Sequence, residues 1–161
     1  VARYKSGKYT IERPLHFGAA LGGGKQNLFS TYSDYGLPLG EAFQLRDDIL
    51  GIFGDPEETG KPAGDDLREG KRTVLLAKVM ELASAEESAE INSALGNANL
   101  DLAHVNRIRE IFVQTGALAQ VEELISTLTS TAQSALEHGE IDPLAKSALT
   151  QLLTIVTQRK L

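Results

Sequence analysis

The sequence predicts an all-α protein, an antiparallel assembly of helices, and three observations carry that reading. Apolar residues recur at the three- and four-residue spacing of helices in one segment after another. No stretch shows the sustained apolar/polar alternation, bounded by turn residues, that a half-buried strand would need. The breaks between periodic segments are short and carry helix-start or helix-stop residues, such as Ser84, Asp101 and Pro143 at starts and Gly96 and Gly116 at ends.

Taken in order, Gly22-Gly23-Gly24 reads as a helix terminus followed by a flexible joint, since no strand precedes it as a dinucleotide loop would require. From Gln26 to about Gly54 the spacing of Leu28, Tyr32, Tyr35, Leu39, Phe43 and Leu50 predicts one long helix with a wide buried stripe. Only Pro38 opposes it, and a bend is expected near Tyr35–Leu37. Gly51 to Thr73 is rich in Gly, Pro, Asp and Lys and is expected to be a mobile loop. Within it, Asp55 reads as an N-cap with Pro56 at the first helical position and Glu58 closing a capping box, a structural role rather than a metal-binding one.

Beyond the loop, Thr73–Ala83 is a helix with an apolar face. Ser84 caps the next, with Glu86 and Glu87 in the first turn where the helix dipole favours them, and it ends near Gly96-Asn97. Asp101 begins another helix through Val105, Ile108, Ile111 and Phe112 to Thr115-Gly116. Ala117–Glu137 and a final stretch after Pro143, carrying Leu149, Leu152, Leu153 and Val156, complete the pattern. The basic tail Gln158-Arg159-Lys160-Leu161 suits the negative end of a helix.

Bulk properties narrow the function. With 161 residues, 42% hydrophobic and 24% charged, the chain is long enough for one modest domain with a true core, and disordered or collagen-like classes drop out. A net charge of −6 excludes nucleic acid as a default partner, because phosphate backbones need a clustered basic face. No apolar run approaches the roughly 18 residues of a membrane span. The absence of cysteine excludes disulfides and thiol chemistry and fits a cytoplasmic protein. His16, His104 and His138 lack metal-pair spacing and are expected to be surface or capping residues.

The chemistry is concentrated in Phe43-Gln44-Leu45-Arg46-Asp47-Asp48, followed by Gly60-Lys61 and by Asp65-Asp66-Leu67-Arg68-Glu69-Gly70-Lys71-Arg72-Thr73. On a helix, Gln44 lies three and four positions before Asp47 and Asp48, so the three polar heads share a face. Hard divalent cations take carboxylate oxygens, and phosphate oxygens take both such cations and Lys or Arg donors. Two aspartates and a ligand diphosphate meet the coordination habit of Mg²⁺, which keeps water and few protein carboxylates. The bland alternative is that Asp47 and Asp48 are a solvated patch with Arg46 as a surface neighbour.

The order Phe-Gln-x-x-Asp-Asp, Gly-Asp-Pro, Thr-Gly-Lys and Asp-Leu-x-x-Gly-Lys-x-Thr resembles the trans-polyprenyl diphosphate synthases, the farnesyl and geranylgeranyl type. Phe43–Thr73 is similar to their second aspartate-rich region and the loop after it. Tyr4-Lys5-Ser6-Gly7-Lys8-Tyr9-Thr10 is similar to their Lys-Thr element with Ser6 in place of Thr, and Pro14–Ala20 to the helix that follows. The resemblance implies an isoprenoid-synthase helical fold, of which residues 1–161 are the C-terminal portion of a single domain. It also implies condensation of an allylic diphosphate with isopentenyl diphosphate, dependent on Mg²⁺, in a protein that is commonly a homodimer.

Residue by residue, the resemblance implies that Asp47 coordinates Mg²⁺, that Asp48 supports it, and that Asp66 is an outer-shell partner. Gln44, Lys5 and Lys61 would contact the allylic diphosphate, Ser6 would lie near the reacting carbon or the leaving oxygen, and Lys71 with Arg72 would close over the phosphates.

Two departures stand out. Where the family often has a third aspartate, four residues after the first, this chain has Gly51. The family's first aspartate-rich motif is missing, since the Asp-Asp pairs are Asp47-Asp48 and Asp65-Asp66. The expectation is therefore a C-terminal half of a longer enzyme, inactive by itself, with apolar surface left open to self-association. The alternative is a non-catalytic small subunit, against which stand the retained phosphate and metal ligands.

Overall fold

Among the described residues every regular element is a helix, as the periodicity requires. The structure, a computed structural model, describes residues 3–60 and 62–157, with the side chains of Glu58 and Thr59 outside the description. A π-helix at Arg3–Glu12 leads into α1 (Arg13–Leu21), then α2 (Gln26–Phe53), α3 (Pro56–Thr59) and α4 (Asp65–Arg68). They are followed by α5 (Val74–Leu82), α6 (Ala85–Ala94), α7 (Leu102–Gln114), α8 (Ala117–His138) and α9 (Pro143–Thr157). Pro38 lies inside α2 and does not end it.

The chain divides into two compact units, one of Val1–Arg46 with Leu124–Arg159 and the other centred on Asp47–Glu123. In the first, Tyr35 and Leu39 of α2 pack with Ala132 and Leu136 of α8 and with Leu153 and Val156 of α9. Each large apolar side chain buried in this way stabilises the fold by about 1.5–3 kcal/mol. Tyr35 and Arg46, polar groups caught in the core, are paired. The Tyr35 hydroxyl donates to the Leu149 carbonyl at 2.8 Å. Its burial raises the phenol pKa well above the ordinary 10.0. Arg46, 9% exposed, donates through Nε to the Thr157 carbonyl at 3.1 Å, so it caps the end of α9 and is not a surface charge.

His16 is likewise more embedded than its isolation in the sequence suggests. Its Nε2 lies 3.0 Å from both the Phe29 carbonyl and the Ser33 hydroxyl, and Ser33 donates to the buried Glu12 at 2.8 Å. His16 also meets the Phe29 ring edge-on. This is a structural role.

In the second unit the helix starts follow the capping residues. Thr73 accepts from the Leu76 amide, and Ser84 with Glu87 completes a reciprocal capping box. Asp101 accepts from the His104 amide, and its hydrogen bonds to His104 hold its carboxyl below the ordinary 3.8. Asp55 accepts from the Glu57 amide with Pro56 in the first turn, as expected; the part expected of Glu58 lies outside the described side chains. Phe53 meets Phe112 edge-on at 6.3 Å.

One expectation is corrected. The segment Gly51–Thr73 is not simply a mobile loop, because α2 runs through Gly51 and two short helices follow it. The reason is burial and backbone pairing: Leu67 is 1% exposed, and its carbonyl accepts from the Gly96 amide at 2.8 Å. Arg68 donates to the Leu100 carbonyl from Nε at 3.1 Å and Nη2 at 2.8 Å.

Candidate diphosphate and metal site

In the first unit the π-helix is held against α2 at glycines. A side chain at Gly40 would run into the backbone of Gly7, whose nitrogen is 2.6 Å from where that Cβ would sit, and of Ser6, whose carbonyl carbon is 2.7 Å away. At Gly36, a turn earlier, the same test meets the Glu12 backbone at 3.1 Å. That close crossing buries Ser6 to 4% exposure and lets its hydroxyl donate to Gln44 Oε1 at 2.7 Å. Lys5, beside Ser6, is exposed, and Lys8 lies over the Tyr4 ring at 5.2 Å. Of the residues expected at the diphosphate, Ser6 and Gln44 are thus brought together, with Lys5 adjacent in the chain.

In the second unit the aspartate pair sits on the last turns of α2. Asp47 is half-buried and Asp48 is 6% exposed, which excludes the solvated-patch alternative for Asp48. Those last turns are secured by Arg109 of α7. Its Nε donates to the Ile52 carbonyl at 2.7 Å, and its guanidinium lies over the Phe53 ring at 5.9 Å. Burial lowers the Arg109 pKa.

Asp66 lies beside the same helix end. A Cβ at Gly51 would clash with the Asp66 carboxyl group, so the glycine leaves room for that carboxylate. Asp66 is 7% exposed, and one of its oxygens is 2.6 Å from the Lys71 ammonium, which also lies 2.8 Å from Glu69. Those two hydrogen bonds raise the Lys71 pKa above the ordinary 10.5. Lys71, expected over the phosphates, therefore reaches toward the acidic side of the loop. Carboxylate oxygens of Asp65, Asp66 and Glu69 come within 4.8 Å of one another, a set whose charge Lys71 offsets. Arg72 is exposed, and Lys61 lies outside the described residues.

The sequence did not point to Arg109 or Gly40. Arg109 acts 57 positions from its partner, and Gly40 looks like any helical glycine until the partner backbone is in place.

The chain is similar to known proteins over most of its length. The polyprenyl synthetase family model matches residues 1–112. A short chain isoprenyl diphosphate synthase of Methanothermobacter thermautotrophicus is 33% identical over 98% of this chain and 47% of its own length. A geranylgeranyl diphosphate synthase of Saccharolobus solfataricus is 35% identical over 88% of the chain and 44% of its own. The crystal structure of a geranylgeranyl pyrophosphate synthase from Corynebacterium glutamicum, complexed with isoprenyl diphosphate and magnesium, superposes with a TM-score of 0.93 at 43% identity. It covers 99% of this chain and 45% of that one. The chain thus spans about half the length of the relatives it matches. Among the described residues no helix is long and apolar enough to cross a membrane. With a match over more than two-thirds of its residues, this chain belongs to the polyprenyl synthetase family.

Proposed function

We propose that the chain is the C-terminal portion of a Mg²⁺-dependent prenyltransferase that joins an allylic diphosphate to isopentenyl diphosphate, of the geranylgeranyl or farnesyl type. The observation that carries this reading is the place of the aspartate pair on the last turns of α2, with Asp48 buried and Asp47 half-buried. Asp48 is 6% exposed on a helix whose neighbouring turns hold Leu45, Ile49 and Ile52 in the core. The donor set suits Mg²⁺, being all carboxylate oxygen with no sulfur or imidazole.

In this reading Asp47 and Asp48 hold the metal, with Asp66 behind them, and Lys5, Gln44, Lys61 and Arg72 bind diphosphate oxygens; Lys71 would join them only by leaving Asp66 and Glu69. Bound Mg²⁺ supplies charge that stabilises the departing pyrophosphate. The C1–O bond of the allylic diphosphate breaks with its electron pair passing to that leaving group. The double bond of isopentenyl diphosphate then forms the new carbon–carbon bond to C1, and a proton is lost. Fixed lysine donors bind the pyrophosphate more tightly as its charge grows, which lowers the barrier. In this reading Ser6, hydrogen-bonded to the diphosphate-binding Gln44, would stand near the reacting carbon or the leaving oxygen. Neither is a strong nucleophile that would trap a cation.

We assign the complete protein to homodimers or larger self-association, in keeping with the exposed Tyr9, Phe17 and Leu21. The test is incubation of the complete protein with labelled isopentenyl diphosphate and an allylic diphosphate. Chain-extended diphosphate that forms only with Mg²⁺ is expected. No extended product under those conditions would remove the reading.

A further inference from the structure

We infer that Arg109 is a positioning residue for the aspartate pair: by holding the carbonyl end of α2 it fixes the turn that presents Asp47 and Asp48. The inference rests on the metal-binding reading of Asp47. The pair stands on the last turns of α2, which ends at Phe53. In an α-helix each amide closes on the carbonyl four residues earlier. The amides of Gly51 and Ile52 therefore close the turns that begin at Asp47 and Asp48. The final carbonyls of a helix lack such a partner and must find one elsewhere. Leu50 finds the Gly54 amide at 2.8 Å. Ile52 is 2% exposed, and its carbonyl accepts from Arg109 Nε at 2.7 Å.

One side chain grips three consecutive residues there. Besides Ile52, the Arg109 guanidinium lies over the Phe53 ring at 5.9 Å, and its Nη2 lies 3.5 Å from the Gly54 carbonyl. The same α7 sends the buried Phe112 edge-on against Phe53. Helix α7 is itself fixed in the core by Val105, Ile108 and Ile111, so the cation comes from an anchored element. Its charge matters as much as its donors. The carbonyl end of a helix is the negative end of the helix dipole, where carboxylates are disfavoured and a cation is favoured. Two adjacent aspartates near that end would promote fraying, and Arg109 opposes it at the main-chain oxygens.

The experiment uses the complete protein, with Mn²⁺ as a paramagnetic substitute for Mg²⁺ and inorganic pyrophosphate as co-ligand. Bound Mn²⁺ is read by electron paramagnetic resonance, well below the melting temperature. Arg109→Met keeps an apolar stem and removes the charge and the donors. It should weaken Mn²⁺ binding about tenfold, the low end of what loss of a ligand-orienting group causes. In the metal-free protein, exchange of the Ile52 and Phe53 amide hydrogens should quicken about tenfold as the helix end opens. Arg109→Lys restores the charge without the planar fork and should recover part of both losses. Ser84→Ala is the control: it removes the cap of α6, so it should lower the melting temperature and leave Mn²⁺ binding at the parent's level.

Parent-like Mn²⁺ binding by Arg109→Met, or equal weakening by Ser84→Ala, would overturn the inference. So would weaker binding without faster exchange, since the effect would then not pass through the end of α2. Asp47→Ala separates the two levels of argument. If it abolishes binding while Arg109→Met binds like the parent, only the assignment of Arg109 falls. If Asp47→Ala also binds like the parent, the metal reading falls and this inference with it. Should Arg109→Met fail to fold, Arg109→Lys decides: binding and exchange both weaker than the parent's in protection support the inference, and both unchanged overturn it.

Discussion

Helix α2 admits polar neighbours at glycines, and Gly40 and Gly51 differ in what they admit. At Gly40 the neighbour is backbone, with Gly7 and Ser6 of the π-helix lying where a side chain would go. At Gly51 the neighbour is a side chain, the carboxylate of Asp66. Backbone fixed inside a helix cannot turn away from an added methyl, whereas a carboxylate can rotate at some cost to its partner Lys71. The first arrangement therefore guards geometry, and the second places charge.

The largest expected effect tests the charged side. Asp47→Ala in the complete enzyme should lower turnover roughly 100-fold or more while the unfolding midpoint stays near the parent's. Near-normal turnover would remove Asp47 from the chemistry. Gly40→Ala should come next, destabilising by about 2–3 kcal/mol in urea unfolding through overpacking against fixed backbone.

Gly51→Ala should cost less, about 1 kcal/mol, because Asp66 has a rotatable side chain. Equal losses at the two glycines would break the distinction between backbone and side-chain neighbours. The smallest effect lies away from both. Asp101→Asn keeps a capping oxygen but removes the charge. The folded pKa of Asp101 lies below its unfolded 3.8, so its ionic contribution is full above that value and fades as pH falls through the depressed one. Parent and variant should therefore differ slightly at neutral pH and converge in acid, as read from unfolding midpoints across that range.

Much of this was legible in the chain. The long α2, the caps at Asp55, Ser84 and Asp101, and the absence of strands among the described residues follow from local spacing and side-chain chemistry that a single sequence displays. The family was legible in the order of the motifs, and the family match agrees with that reading. What stayed hidden depends on contacts distant in sequence. The composition of 51–73 reads as flexible, yet Leu67 and Arg68 find partners near Gly96 and Leu100 that no local pattern announces. The π-helix at Arg3–Glu12 has no propensity signature to read. Gly51 appeared as a missing ligand, and only the fold shows the Asp66 carboxyl packed against it.

Tyr35 gives the first unit an optical reporter. The chain contains no tryptophan, so its tyrosine emission is unmasked. Of the four tyrosines, Tyr35 alone is fully enclosed, and its hydroxyl is bound to a main-chain oxygen of α9. Loosening of α9 from α2 would release that phenol into water, so its spectrum follows the packing of this unit without any introduced label.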